Sequence, residues 1–171
     1  KAMVPAILIL VFAWTLKSMT DSLGAKEYVA SLVENISGPW LSLFPAIIFI
    51  IGALLAFATG TSWGTFGILI PIVVGTFSGI NHSISACMAG AVCGDHCSPI
   101  SDTTIMASAG AQCNHMNHVS TQLPYVMVVA VISCMTYILA GFIQSPVIPL
   151  IIGIVLMIGT LIGIKYITGV N

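Results

Sequence analysis

The sequence predicts an all-α, polytopic transmembrane protein, and its composition is the first reason. Of the 171 residues, 58% are hydrophobic and 5% are charged, whereas soluble domains carry roughly 25% charged residues. The mean hydropathy is +1.11. Four basic and five acidic side chains are too few to cover the surface of a water-soluble fold of this length. We therefore expect a single membrane domain over residues 1–171, surrounded by the lipid bilayer.

The lengths of the apolar segments are the second reason, because a full crossing needs about 20 apolar residues. Residues 1–40 predict a spanning helix followed by an amphipathic helix at the membrane interface. Residues 41–79 predict a re-entrant hairpin, since the apolar stretches 43–58 and 66–77 are short and flank the polar, glycine-containing residues 59–65. An ordinary loop between two short, tilted spans is the alternative.

A second interruption follows directly and is the third reason. Residues 83–113 predict a broken, unwound helix, because short small-residue segments at 84–94 and 103–111 flank a polar stretch that contains Pro99. Backbone groups without helical partners persist at membrane depth only next to protein or a watery cavity. Residues 122–168 then predict two spanning helices without carboxylates, suited to a scaffold or to the surface of a homodimer.

Two carboxylates border the second interruption. Asp95 and Asp102 lie far from the ends of an apolar chain, where an ionisable side chain is costly and is usually functional. Broken helices bring carbonyl oxygens and helix dipoles to bound ions. A structural role is the alternative for Asp102, which can cap the second short helix in competition with Ser98 or Ser101.

Hydroxyl oxygens surround both interruptions. Hard cations take oxygen ligands, so we expect Asp95 and Asp102 to bind Na⁺ with help from neighbouring hydroxyls. Because burial raises a carboxyl pKa and a bound cation lowers it, H⁺ and Na⁺ can compete for one site, with His96 as a candidate proton relay. The candidate hydroxyl ligands are Thr59, Thr61, Ser62, Ser98, Ser101, Thr103 and Thr104.

A zinc site is the alternative for the cysteines and histidines of the same region. The spacing matches no common zinc module, and free cysteines in apolar stretches usually act as small hydrophobes. We therefore expect no cofactor, and we expect His115 and His118 to lie in a connecting loop. The residues concerned are Cys93, His96, Cys97, Cys113, His115 and His118.

Two long motifs carry a family resemblance. Residues 58–71, which begin Ala-Thr-Gly-Thr-Ser-Trp-Gly-Thr, and residues 94–104, which read Gly-Asp-His-Cys-Ser-Pro-Ile-Ser-Asp-Thr-Thr, closely resemble the Na⁺/H⁺ antiporters of the NhaC family, as does the later stretch at 122–125. The resemblance implies two inverted repeats, of which this chain would be the C-terminal one, with residues 59–65 as the hairpin tip. It also implies an N-terminal repeat as partner and the inner or plasma membrane of a prokaryote as location.

The resemblance implies Na⁺/H⁺ antiport, and some family members couple it to malate and lactate. An exchanger of organic acids or amino acids driven by Na⁺ or H⁺ is therefore one alternative, with a small carboxylate solute as a further partner. A half-transporter or structural subunit that does not transport is another. An enzyme is not expected, because no motif joins a nucleophile to a base. The net charge of -1 and the lack of a basic patch exclude nucleic acid as a partner.

Overall fold

The structure is a computed structural model that describes residues 42–76, 81–143 and 145–168. It also describes the isolated positions Val11, Thr15, Met19, Ser22 and Leu23. The two helices predicted within residues 1–40 lie outside the described residues, apart from those isolated positions. The three described ranges are all-helical and contain no β-strand. Their helices are α1 (Phe44–Thr59), α2 (Ser62–Thr76), α3 (Asn81–Cys97), α4 (Asp102–Gly110), α5 (His115–Phe142) and α6 (Val147–Thr168).

The turn between α1 and α2 is shorter than the predicted interruption at 59–65. Gly60 ends α1 with φ +67°, a conformation that favours glycine, and its N–H donates to the Ala56 carbonyl at 2.8 Å. The Oγ1 of Thr61 then accepts the Gly64 N–H at 3.3 Å, which caps the start of α2. With this cap α2 begins at Ser62, so most of the polar tip predicted at residues 59–65 is helical.

The break between α3 and α4 is also shorter than predicted. The helix α3 continues through Cys97, so Asp95 lies in its last turn and only residues 98–101 are non-helical. Pro99 disfavours a helical conformation at Ser98 and provides no backbone N–H, which ends α3. Ser101 is the N-cap of α4, because its side chain accepts the Thr104 N–H.

Glycines bring α1 and α3 into close contact. A methyl group on Gly90 would overlap the Phe49 carbonyl, and one on Gly94 would overlap the Ala53 carbonyl. The contacts advance in the same direction along both helices, so α1 and α3 run parallel, as small residues at a helix interface allow. The turn at Gly60 therefore lies at the same end of the bundle as the break.

The core of the described residues lies among α1, α2 and α3. Ile48, Leu69, Val73 and Cys87 form its buried cluster. Tyr137 attaches α5 to this core: its ring lies 5.5 Å from that of Phe49, and its hydroxyl is 3.0 Å from the Ser85 Oγ. The first three helices and α5 therefore form one packed unit beside the break.

Two described helices are long and apolar enough to cross a bilayer, α5 and α6. The helix α5 begins at His115, earlier than the predicted start at 122, because Asn114 caps it by accepting the Asn117 N–H. α6 packs on α5 and on no other described helix. Its large apolar side chains are mostly exposed, for example Leu150 at 60% and Val155 at 63%, as expected of a surface that faces lipid rather than water.

Candidate functional site

Of the two carboxylates among the described residues, Asp95 and Asp102, Asp95 is the buried one. It lies one residue after Gly94, at the point where α3 packs against α1, and only 2% of its surface is exposed. Ser101 Oγ donates to its Oδ1 at 2.8 Å, and Thr103 Oγ1 donates to its Oδ2 at 3.2 Å. The break therefore folds back so that both oxygens of the carboxylate meet a hydroxyl.

The two hydroxyls also meet each other. Ser101 Oγ lies 2.7 Å from Thr103 Oγ1. The two hydroxyl oxygens and the two carboxylate oxygens of Asp95 therefore form a ring, which is closed through the carboxyl carbon. The Thr104 N–H donates to Ser101 Oγ as well, at 3.4 Å. Ser98 and Ser101 have no exposed surface, and Thr104 is 4% exposed. Of the predicted residues of the break, Ser101 and Thr103 therefore contact the carboxylate of Asp95, and we call these three residues the Asp95 ring.

Among the described residues, no arginine or lysine lies beside Asp95 to balance its charge. The chain contains no arginine, and the one lysine of the described ranges, Lys165, lies in the last turn of α6, which does not contact α3. Asp95 also sits at the C-terminal end of a helix, where the macrodipole disfavours negative charge. A proton or a bound cation would relieve both effects.

Asp102 has a different environment. It is exposed, and its Oδ1 accepts the N–H of Thr103 at 2.8 Å at the start of α4. An acidic residue in a first helical turn is favoured by the dipole. Ser101 is the N-cap, so Asp102 assists the helix start from the next position. Its hydrogen bond to Thr103 stays within α4, and its role in binding an ion stays a prediction.

The hydroxyls of the first interruption do not reach Asp95. Thr59 is exposed and donates to the Leu55 carbonyl at 2.9 Å, while Thr61 accepts from Gly64 within its own turn. Ser62 is buried at 9% exposure. The two interruptions nevertheless touch through their backbones, because a methyl group on Gly60 would lie 2.8 Å from the Ile100 carbonyl oxygen. Ion binding by Thr59, Thr61 and Ser62 therefore stays a prediction.

The histidines near the break have separate surroundings. His96 is exposed, and its Nδ1 lies 2.8 Å from the Val92 carbonyl of its own helix, so its role as proton relay stays a prediction. His115 and His118 were expected in a loop, and that prediction is wrong, since both lie in the first turns of α5. The cap at Asn114 explains the difference.

His115 is the residue of this region whose contacts the sequence did not reveal. Its Nε2 lies 2.7 Å from the Pro99 carbonyl, and its Nδ1 lies 3.1 Å from Ser108 Oγ. Sixteen residues separate His115 from Pro99 in the chain. No local pattern relates two positions that are so far apart, so only the tertiary fold reveals this contact.

The zinc alternative finds no support in the described ranges. Within them, no three His, Cys, Asp or Glu side chains are grouped closely enough to hold a metal ion. All five cysteines are free thiols. Cys93 and Cys97 contact each other one turn apart on α3, whereas Cys87 is buried and Cys113 is exposed, so the five cysteines do not form one cluster.

A cavity of about 630 Å³ lies between α3, α5 and α6. Its wall is apolar apart from five residues that provide polar groups, namely His82, Ser85, Ser133, Thr136 and Tyr137. None of the predicted ion-binding residues lines it. The cavity is therefore separate from the Asp95 ring.

Comparison with known proteins gives a family for this arrangement. The model of the Na⁺/H⁺ antiporter family matches residues 1–142, which include both interruptions and the Asp95 ring. No solved structure matches the chain. Membership of this family implies a membrane transporter rather than an enzyme.

Several curated relatives are similar over part of their length. An uncharacterized protein of Haemophilus influenzae is 49% identical over 151 residues, covering 85% of this chain and 28% of that protein. The arginine/ornithine antiporter ArcD of Halobacterium salinarum is 36% identical over 107 residues, covering 58% and 22%. The malate-2H⁺/Na⁺-lactate antiporter of Bacillus subtilis is 34% identical over 105 residues, covering 59% and 22%.

The chain thus spans between 22% and 28% of the length of these relatives. The family model matches most of its residues, and two long apolar helices lie in the described part. The composition, the exposed apolar helices and the family match agree with one another. The chain belongs to the Na⁺/H⁺ antiporter family.

Proposed function

We propose that this chain forms an ion-binding part of a secondary active transporter that exchanges Na⁺ for H⁺, with Asp95 as the carboxylate that holds each ion in turn. The observation that carries the proposal is the Asp95 ring. A buried carboxylate with two hydroxyl neighbours and no described cationic partner can be neutralised by either ion.

A count of protons supports this exchange. The ring has three oxygen–oxygen contacts, at 2.8, 2.7 and 3.2 Å, and each needs one proton to be a hydrogen bond. The hydroxyls of Ser101 and Thr103 supply two. A neutral Asp95 supplies the third, because its own O–H donates to one hydroxyl, which is then free to donate across the Ser101–Thr103 contact.

The ionised ring lacks that third proton and suits a cation instead. Both hydroxyls then donate to the carboxylate, and their mutual contact has no proton between the oxygens. Four oxygen atoms remain around one negative charge, which is the type of donor that Na⁺ takes. Loss of H⁺ and gain of Na⁺ are thus linked at the same atoms.

Asp102 has a secondary role in the proposal. Its exposed carboxylate at the start of α4 attracts a cation towards the break, with the hydroxyls of Thr59, Thr61 and Ser62 nearby as further ligands when the hairpin tip moves. We further propose that α1 and α2 form a re-entrant hairpin, that α3 and α4 are the halves of one unwound helix, and that the chain is the C-terminal repeat of an NhaC-type transporter.

The test compares two carboxylates that border the same break. In proteoliposomes of the full-length protein, we expect Asp95→Asn to abolish Na⁺-dependent proton flux, because the amide carries no charge to exchange. Asp102→Asn keeps the oxygen that accepts the Thr103 N–H, so we expect weaker apparent Na⁺ affinity with exchange retained. Flux like that of the wild type in Asp95→Asn, with normal membrane insertion, would overturn the proposal.

An exchanger of organic acids or amino acids is the second candidate. The names of two relatives favour it, since one is an arginine/ornithine antiporter and another a malate-2H⁺/Na⁺-lactate antiporter. Radiolabelled Na⁺ uptake with a panel of carboxylates and amino acids separates the two. Uptake that strictly requires such a solute would favour the exchanger, and uptake without any solute would favour Na⁺/H⁺ antiport.

A further inference from the structure

His115 connects three parts of the molecule. It is the first residue of α5, it is half-buried, and its two ring nitrogens contact different segments. Nε2 lies 2.7 Å from the carbonyl of Pro99 in the break, and Nδ1 lies 3.1 Å from Ser108 Oγ in α4. One imidazole therefore joins the break, α4 and α5.

The chemistry of the acceptor determines which partner donates in the hydrogen bond between His115 and Pro99. A carbonyl oxygen carries no proton, so Nε2 must carry one and donate it to Pro99. The distance of 2.7 Å is at the short end of the range for N–H···O bonds. Nδ1 faces the Ser108 hydroxyl, whose single proton is donated either to Nδ1 or to the Ile105 carbonyl, which lies 2.9 Å away.

The Pro99 carbonyl is important because of its neighbours. The break is only four residues long, and Ser98 and Ser101 on either side of the carbonyl are fully buried. Within the break, the Ser101 N–H donates to the Ser98 carbonyl at 3.3 Å, which is a long bond. The His115 bond adds a shorter restraint from a separate helix, and it acts on the segment that presents Ser101 to Asp95.

We propose that His115 is a positioning residue for the Asp95 ring, which rests on the proposed function of that ring. By holding the Pro99 carbonyl against the start of α5, it keeps the break in the conformation in which Ser101 Oγ reaches Asp95 Oδ1. It does not touch the ion. Its loss therefore weakens ion binding through the geometry of the break, while the carboxylate and the hydroxyls remain present.

The transport test uses a deletion of the bond and a rescue of it. In the full-length protein, we expect His115→Ala to raise the Na⁺ concentration for half-maximal exchange about tenfold, the effect of one lost hydrogen bond to a part-buried acceptor. We expect His115→Gln to recover most of the affinity, since its terminal amide can donate in place of Nε2. The maximal rate should change less than the affinity.

His118 provides the matched control. It lies one turn further along α5 and is half-buried, and among the described residues its imidazole makes no hydrogen bond. We expect His118→Ala to have the affinity of the wild type. If both alanine variants lose affinity and thermal stability together, and glutamine rescues neither, the role of His115 is general stabilisation of α5 and the proposal is wrong.

A second measurement does not require transport. Hydrogen–deuterium exchange of the full-length protein should show faster exchange at the amides of residues 100–104 in His115→Ala, with no change in α6. Unchanged exchange there would overturn the positioning role. The two proposals fail separately: an active Asp95→Asn variant overturns the proposed function, whereas an inactive Asp95→Asn with unaltered affinity in His115→Ala overturns only the role of His115.

Discussion

Asp95 and Asp102 border the same break, yet their surroundings differ. Asp95 is 2% exposed and meets two hydroxyls, whereas Asp102 is exposed and accepts the N–H of Thr103 in its own helix. Burial makes an uncompensated charge expensive, so the proposed exchange of a proton for a cation concerns Asp95. Exposure leaves Asp102 hydrated in either state.

Thr103 provides a test of the ring at the scale of one oxygen atom. Thr103→Val keeps the shape of the side chain and removes the hydroxyl that donates to Asp95 Oδ2. A hydrogen bond to a charged group contributes about 1.5–3 kcal/mol, so we expect apparent Na⁺ affinity to fall by roughly tenfold or more. Flux measured against Na⁺ concentration in proteoliposomes checks this.

Thr160 is the control for that substitution. Its hydroxyl donates to the Leu156 carbonyl of its own helix at 2.7 Å, on the exposed helix α6. Thr160→Val should leave the affinity for Na⁺ unchanged. An equal loss of affinity in both variants would mean that Thr103 acts through general helix stability and not through Asp95.

At the scale of helices, the packing of α1 on α3 determines where the site forms. Gly90 and Gly94 allow the two backbones to approach, and Asp95 follows directly after the second glycine. The same contact brings the Gly60 turn against Ile100 of the break. Two interruptions that are separate in the sequence therefore become neighbours because the parallel helices that precede them are in register.

Gly94→Ala tests this interface. The added methyl group would overlap the Ala53 carbonyl, and overpacking of a tight contact costs typically about 1–3 kcal/mol. We expect a lower melting temperature of the protein in detergent, together with loss of exchange as Asp95 moves with α3. Differential scanning fluorimetry and vesicle flux measure the two effects.

Gly159 is the matched control, because no heavy atom lies within 4 Å of a methyl group placed there. Gly159→Ala should leave stability unchanged or slightly higher, since alanine is favoured over glycine in a helix. A melting temperature for Gly94→Ala equal to that of Gly159→Ala would contradict the close packing of α1 on α3.

At the scale of the whole molecule, exposed apolar surface and the position of α5 indicate how the chain sits in a bilayer. The helix α5 starts with about two turns of mostly polar sequence before Leu123, whereas the 22-residue helix α6 is apolar almost throughout. Polar sequence at the start of a spanning helix is stable in water or among headgroups. The connection between α4 and α5, which contains Cys113, is therefore expected at the membrane surface.

Thiol labelling checks this arrangement without any substitution. We expect a maleimide that cannot cross membranes to modify exposed Cys113 in vesicles of one orientation, and to leave buried Cys87 unmodified in both. Mass spectrometry of the peptides identifies the sites, and denaturation with detergent should make both react. Modification of Cys87 in intact vesicles, with Cys113 protected, would contradict the proposed arrangement.

The sequence by itself determined the class of the protein, because too few charges exist to cover a soluble surface and two apolar segments are long enough to cross a bilayer. It also predicted that Asp95 and Asp102 bind an ion, since a carboxylate in apolar sequence needs a compensating partner, and of these two the structure buries Asp95. These inferences depend on composition and on local energetic cost, which a linear pattern contains.

The tertiary structure decided which of the predicted hydroxyl residues contact Asp95. Local caps at Thr61, Ser101 and Asn114 shortened both interruptions and moved His115 into a helix. Of the predicted hydroxyls, the fold brings Ser101 and Thr103 onto the carboxylate and leaves Thr59 bonded to its own helix. Such choices depend on how distant backbones pack, which no window of neighbouring residues specifies.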